Sequence, residues 1–263
     1  MIIFVGDTHG SLLPFRKLQE FVTTEDVVIQ VGDFWASKMI LQTWNKKFSK
    51  FPCGVFYIDG NHEPFGQMAK WSKTEITEVA KGLHYIPRGT VHTFQGKTLA
   101  FLGGGESIDK ASRTMGWDWW PEESINSHDV ARLYKNVGDQ KLDGFITHCP
   151  PTSVVKANYP PLLTKGWGLP DGWQDQSAAW VEESYRLLRP NLKPDSVCVY
   201  GHMHKSVTFH NFRGLAIGEA WSPRQWDEQM IVDCSNRLNG GIHLDQEVVN
   251  GVVIVPPMFD LLP

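Results

Sequence analysis

Residues 2–10 read IIFVGDTHG, a short apolar run that ends in a glycine and an aspartate. The same arrangement returns at residues 27–33, VVIQVGD, and at residues 55–61, VFYIDGN. Two later runs, at residues 145–148 and 197–202, end in histidine instead. Because these runs lack the alternation of apolar and polar residues that marks a half-exposed strand, we predict strands buried on both faces.

Helices are predicted between the strands, because apolar residues recur there every three or four positions. They are expected around residues 14–22, 37–47, 129–137 and 177–188. This alternation requires crossover connections, so we expect an α/β fold with a largely parallel sheet. Residues 83–102 and 207–217 instead indicate hairpins, the second turning at Arg213-Gly214. With no repeat or linker in the pattern, residues 1–263 are expected to form one domain.

The charge and cysteine content exclude several classes of protein. A formal net charge of −4 and a pI near 6.2 argue against an extended nucleic-acid-binding face. No run approaches the ~18 apolar residues of a membrane span, and Gly6 and Asp7 follow Val5 too soon for a signal peptide. The four cysteines are scattered without a CxxC pair, which favours reduced thiols and a cytoplasmic location. They are Cys53, Cys149, Cys198 and Cys234.

Polar side chains follow the predicted strands directly, where each strand ends. In order they are Asp7, His9, Asp33, Asn61, His62, His148, His202 and His204. Ligands of open α/β sheets bind beyond the carboxyl ends of the strands, so we expect these side chains to converge in one crevice. Asp, His and Asn without Cys suit Mn, Fe, Zn, Ni or Mg, and there are more such groups than one ion could use.

Two pairs of these residues, Asp7 with His9 and His202 with His204, are separated by a single position. In extended backbone both side chains of such a pair point the same way, with origins ~6–7 Å apart. That span suits two ions ~3.5–4 Å apart, an arrangement that holds the attacking and departing oxygens in phosphoryl chemistry.

The motifs together resemble those of the calcineurin-like metallophosphoesterases. They are GDTHG at 6–10, GD at 32–33, GNHE at 60–63, His148 after a strand, and GHMH at 201–204, in the family's order. The resemblance covers residues 2–205 and implies a four-layer α/β sandwich, in which two central mixed β-sheets are flanked by helices.

The resemblance also implies a role for each position. Asp7, His9 and His204 would hold one metal ion, Asn61, His148 and His202 would hold the second, and Asp33 would bridge the two. Manganese is expected first, with Fe, Zn, Ni or Mg as alternatives. Water or hydroxide between the ions would attack phosphorus in line. His62 would bind no metal, and would stabilise the phosphoryl group or protonate the leaving group.

One departure from the family pattern concerns the segment after Asp33. Protein Ser/Thr phosphatases of the superfamily carry Asp-Arg-Gly there, whereas residues 32–37 read GDFWAS. What orients His62 is therefore open, with Glu63 and Asp109 as candidates. The loop after residue 102 carries Lys110 and Arg113, either of which could reach a phosphate oxygen.

The leading interpretation is a metal-dependent phosphoesterase that acts on phosphodiesters such as cyclic nucleotides, because no arginine is fixed beside Asp33 for a monoester dianion. One alternative is a phosphomonoesterase or phosphoprotein phosphatase that uses Arg113 or another loop cation. A second is a non-catalytic metal-binding interaction module. The expected partner is a phosphate ester, with a nucleotide as one candidate, and the oligomeric state stays open. Trp35, Trp167, Trp173 and Trp180 would either stack on a base or anchor loops.

Overall fold

The computed structural model describes residues 1–159 and 173–223, and the backbone of three short strands beyond them. The strands are β1 (Ile2–Val5), β2 (Val27–Gln30), β3 (Gly54–Tyr57), β4 (Thr77–Ala80), β5 (Leu83–Tyr85), β6 (Val91–Phe94), β7 (Lys97–Leu102), β8 (Leu142–Thr147), β9 (Leu192–Tyr200), β10 (Val207–Phe209), β11 (Phe212–Gly214), β12 (Ala220–Trp221), β13 (Ile231–Val232), β14 (Val248–Val249) and β15 (Val252–Val253). The α-helices are α1 (Leu13–Leu18), α2 (Lys38–Lys47), α3 (Phe65–Met68), α4 (Ser127–Val137), α5 (Thr152–Asn158) and α6 (Gln176–Leu188).

Two mixed sheets form the centre of the protein. The seven-stranded sheet has the order β13-β12-β1-β2-β3-β5-β4, and the six-stranded sheet has the order β10-β11-β9-β8-β7-β6. In both sheets the central strands are parallel, and antiparallel strands lie at the edges. The carboxyl ends of β1, β2 and β3 therefore lie along one edge of the first sheet, and those of β8 and β9 along one edge of the second.

Alternate residues of each strand pack on opposite sides, which divides the core into layers. Ile2 and Phe4 of β1 pack with Phe101 and Ile146 of the other sheet. Ile3, which points to the opposite side, packs with residues of α1 and α2. A third cluster joins the outer face of the second sheet to α4, α5 and α6. The order helices–sheet–sheet–helices confirms the four-layer sandwich.

The predicted strands and helices are present with small shifts at their ends, but three details of the prediction are wrong. Residues 83–102 do not form a single hairpin: β5 joins the first sheet, and only β6 and β7 pair as a hairpin in the second. The helix around residues 14–22 ends at Leu18, and Val22 packs in the core beyond it. The hairpin of β10 and β11 turns at His210-Asn211, not at Arg213-Gly214. His210 adopts a positive φ of 54° there, and Arg213 lies within β11, paired with Glu219.

Arg88 holds the loop before α4 against the first sheet. Its guanidinium donates to Asp59 at 2.7 Å and pairs with Asp129 at 3.2 Å, and it also donates to the carbonyl oxygens of Glu122, Glu123 and Ser124. All three charged side chains are buried. This network fixes Asp59, two residues before Asn61, relative to the loop that faces it.

We expect Arg88→Met to destabilise the fold by about 3–5 kcal/mol, because the buried carboxylate of Asp59 would lose its arginine and that of Asp129 would keep only Arg132. The free energy of unfolding in urea measures the effect. Arg186→Met is the matched control: Arg186 also pairs with a carboxylate, that of Glu183, but on the exposed face of α6. A loss no larger than that of the control would contradict the assigned role of Arg88.

Candidate metal centre

The eight polar residues that follow the strands meet where the two sheets adjoin. Asp7, Asp33, Asn61 and His148 are buried, and their side chains are 0%, 1%, 4% and 0% exposed. His204 is the most open of the group, at 43%. The convergence expected from parallel strand ends is therefore present, and it leaves one side of the cluster accessible to solvent.

The backbone at this site adopts conformations that most residues avoid. His9, Asp33, His202 and His204 all have positive φ angles, between 45° and 64°. Such conformations cost of order 1–3 kcal/mol each and persist where the surroundings enforce them, as they do at functional sites. A glycine permits the close approach at Gly60, where a Cβ atom would overlap the carboxylate of Asp33.

The first half of the cluster contains Asp7, His9, Asp33 and His204. The Nε2 atoms of His9 and His204 lie 3.0 Å apart, and Nε2 of His204 lies 3.1 Å from Oδ2 of Asp7. Nε2 of His9 is 3.8 Å from Oδ2 of Asp33. One ligand atom from each of the four residues falls within 4.8 Å of the others, so the group could hold a metal ion.

The second half contains Asn61, His148 and His202. Oδ1 of Asn61 lies 3.0 Å from Nε2 of His148 and 2.9 Å from Nδ1 of His202. Nδ1 of His148 lies 2.9 Å from the carbonyl oxygen of Val31, to which it donates in the neutral ring. Nε2 of that ring then carries a lone pair that faces the oxygen of Asn61, and two such acceptors at 3.0 Å repel each other unless a cation joins them.

Asp33 lies between the two halves. Its Oδ1 atom is 3.4 Å from Nε2 of His148 and accepts the backbone N–H of His62 at 2.7 Å. Its Oδ2 atom faces His9 and is buried without a hydrogen-bond partner among the residues that the structure describes. Since an unpaired buried carboxylate oxygen is costly, this atom and the surrounding imidazoles fit a divalent cation.

The cluster favours an ionised Asp7 and a neutral His202, whereas the hydrogen bond and charge of Asp7 outweigh burial and raise the pKa of His204. Burial opposes ionisation of Asp7, but the imidazoles of His148, His204 and His9 outweigh it and lower the pKa of Asp7 to about 2. Burial, together with the neighbouring His148, lowers the pKa of His202 to about 3. Ionised carboxylates and neutral imidazoles are the protonation states in which these groups bind metals.

His62 lies beside the cluster and contacts a loop arginine. Nη2 of Arg113 is 3.0 and 2.9 Å from the two ring nitrogens of His62, and it donates to Oδ2 of Asp109 at 2.8 Å. Burial, with the nearby Arg113, lowers the pKa of His62 to about 4. Of the two candidates for orienting His62, Asp109 acts through Arg113, whereas Glu63 accepts from the backbone N–H groups of Phe34 and Ala36.

Two residues behind Asn61 were not singled out for this role from the sequence. Nδ2 of Asn61 donates to Oγ of Ser107 at 3.1 Å, and Ser107 donates in turn to Glu123 at 2.9 Å. Glu123 also accepts from the indole N–H of Trp119. This series of hydrogen bonds fixes the orientation of the Asn61 amide, so that its oxygen faces His148 and His202. The only signal in the sequence is that Ser107 follows a strand and a glycine run.

Other residues considered from the sequence lie away from the cluster or pack in the core. Lys110 is 3.7 Å from Glu106, and Trp180 packs against the core of the second sheet. The Cys149 thiol is buried, and its pKa is raised well above the ordinary value by burial and by Asp175, so it is not an activated nucleophile. Trp167 and Cys234 lie outside the described residues.

A fold of two facing sheets with Asp, His and Asn at the strand ends defines a metal-dependent hydrolase of phosphate esters. The chain belongs to the calcineurin-like phosphoesterase family, whose model matches residues 1–206. No curated protein sequence is significantly similar to it. In the described part of the chain, no helix is long and apolar enough to cross a membrane.

Solved structures are similar to this chain at low sequence identity. One superposes with a TM-score of 0.51 at 13% identity and covers 89% of this chain and 98% of its own. The sulfate thiohydrolase SoxB from Thermus thermophilus has a TM-score of 0.41 at 9% identity, with 82% of this chain and 40% of its own covered. The phosphopantetheinyl hydrolase PptH from Mycobacterium tuberculosis has a TM-score of 0.38 at 16% identity, with 91% and 99% covered.

We expect His204→Ala to lower the amount of manganese bound per chain, because the first half of the cluster would lose an imidazole that faces both His9 and Asp7. His204 is half-exposed, so the variant should fold. Metal analysis after dialysis against Mn²⁺ measures the stoichiometry. His128→Ala is the control, since His128 is exposed on α4; equal metal content in the two variants would contradict a ligand role for His204.

Proposed function

We propose that the protein hydrolyses phosphate esters at a centre of two divalent metal ions, with manganese as the first candidate. Asp7, His9 and His204 would hold one ion, Asn61, His148 and His202 the other, and Asp33 would bridge them. The observation that carries this proposal is Asp33 itself: its two carboxylate oxygens face different halves of the cluster, and one of them is buried with no hydrogen-bond partner in the described part of the chain.

When bound, the metal ions would lower the pKa of a shared water towards neutrality and offset the charge of the phosphoryl group. The residues of the chain supply orientation. Val31 fixes the ring of His148 through Nδ1, and Ser107 fixes the amide of Asn61, so both present their free ligand atoms to one point. Holding ligand groups in place before the reaction is where a protein contributes most to this chemistry.

His62 and Arg113 would act on the substrate itself. With its pKa near 4, His62 is neutral at pH 7 in the ligand-free protein, so it could serve as an acid only when an anion offsets the effects of burial and Arg113. A phosphate group beside both side chains supplies that negative charge. Arg113 would bind a phosphate oxygen, and His62 would hydrogen-bond to or protonate the leaving oxygen.

The choice between diesters and monoesters turns on Arg113. Phosphodiesters, including cyclic nucleotides, are the first candidates because no arginine follows Asp33 directly in the sequence. Arg113 nevertheless lies beside His62 and is only 10% exposed, held by Asp109. This fixed cation favours phosphomonoesters as the second candidate, since a dianion gains more than a monoanion from a charged hydrogen bond.

The proposed function predicts that His62→Ala loses turnover while it keeps its metal. Without an imidazole beside the leaving group, kcat should fall by about 10²- to 10⁴-fold on bis-p-nitrophenyl and p-nitrophenyl phosphate. The manganese content should stay at the wild-type level, because His62 is not a ligand in this assignment. His92→Ala, a change of an exposed histidine on β6, is the control. Wild-type turnover in His62→Ala would overturn the role of His62.

Arg113→Ala separates the two substrate classes. If Arg113 binds phosphate, its loss should lower kcat/KM for p-nitrophenyl phosphate by about 10²-fold or more, and lower it less for the bis ester, which carries one charge fewer. Arg113→Lys should recover only part of the activity, because an ammonium cannot form a two-pronged contact. An equal loss on both esters would contradict a charge-selective role.

A further inference from the structure

A cavity lined by indole rings opens beside His62, on the side that the metal cluster does not use. Its volume is about 370 Å³, at the lower end of the ~300–1,000 Å³ typical of small-molecule sites. Trp35, Trp117 and Trp120 line it together with His62. The ring of His62 contacts that of His9 at a centroid distance of 5.0 Å, so the cavity lies next to the place where phosphorus would react.

Trp35 is held towards this cavity by hydrogen bonds to the backbone on either side of it, and its exposure does not result from core packing alone. Its neighbours Phe34 and Ala36 are fully buried, whereas Trp35 is 43% exposed. Its φ of 59° is a conformation that a bulky residue adopts only under constraint. The constraint is the buried carboxylate of Glu63, which accepts the N–H groups of Phe34 and Ala36, one on each side of Trp35.

The opposite wall belongs to the loop that carries Arg113. Trp117 is 81% exposed at the tip of a turn, in which Gly116 donates to the carbonyl oxygen of Trp119. Arg113 donates to the carbonyl oxygen of Asp118 at 3.2 Å through Nη1, while its Nη2 contacts His62. The same guanidinium therefore joins the indole wall to the residue that would serve the leaving group.

We propose that this indole pocket, formed by Trp35, Trp117 and Trp120, binds the planar aromatic part of a leaving group, and that this part is the base of a nucleoside whose sugar oxygen leaves phosphorus. The inference rests on the proposed function, because it places the reacting phosphate between the metal cluster and His62. The substituent nearest His62 would then enter the cavity and stack on an indole. Gln67 and Asp118 also line the cavity, and an amide and a carboxylate are groups that hydrogen-bond to the edge of a base.

The inference predicts a preference for substrates that carry a base. Adenosine 5′-monophosphate and ribose 5-phosphate present the same ester and differ only in the base, so their kcat/KM ratio isolates the pocket. Stacking corresponds to about a 10-fold to 100-fold advantage for the nucleotide. If only diesters are turned over, 2′,3′-cyclic AMP and its abasic counterpart form the equivalent pair.

Trp117→Ala should reduce that ratio towards one, and Trp117→Phe should retain most of it, because a phenyl ring still stacks. Trp117 is exposed, so its removal should not unfold the protein. Met115→Ala is the matched control: Met115 is also exposed on this loop, at 69%, but it does not line the cavity. A nucleotide advantage equal in wild type and Trp117→Ala would overturn the inference.

A binding measurement separates this inference from the proposed function. Adenosine alone should quench indole fluorescence in the wild type and in Met115→Ala, and much less in Trp117→Ala. Quenching without hydrolysis of any ester would overturn the proposed function and support the pocket. Hydrolysis of p-nitrophenyl esters with no quenching and no nucleotide advantage would overturn the pocket and leave the proposed function intact.

Discussion

Nitrogen and oxygen atoms that can bind a cation crowd together at the centre of this protein, and the structure around them depends on that constraint. Nε2 of His9 lies 3.0 Å from Nε2 of His204, and Oδ1 of Asn61 lies within 3.0 Å of two further imidazole nitrogens. Close contacts of this kind need either a shared proton or a bound cation, and a divalent ion held by these atoms would satisfy them together. The left-handed backbone at His9, Asp33, His202 and His204 is the cost of bringing them together.

The layers around the centre supply the rigidity that this arrangement needs. The strands that carry the proposed ligands are packed on both faces, because helices cover the outer sides of both sheets. Behind the ligands, separate hydrogen bonds fix individual orientations, such as that of His148 to Val31 and that of Asn61 to Ser107. Groups held in this way do not need to reorganise during a reaction.

The sequence predicted the convergence of the ligand residues because it follows from topology: parallel strands end at one edge, and a residue just past a strand must lie there. Contacts made by loops were beyond such reasoning. Arg113 reaches His62 across 51 positions, and Glu123 supports Asn61 through Ser107. Glu63, adjacent to His62, turns instead to the backbone around Trp35. No periodic pattern in the sequence predicts these side-chain contacts, because they depend on how irregular segments pack.

The segment from 207 to 221 lies beyond the residues that match the family model, yet it closes an edge of both sheets. Its strand β11 pairs with β9, and its strand β12 pairs with β1. Cutting the chain at the end of the family match would leave two unpaired strand edges, whose free N–H and C=O groups recruit strands from other molecules. A shortened chain would therefore aggregate even though it kept every proposed metal ligand.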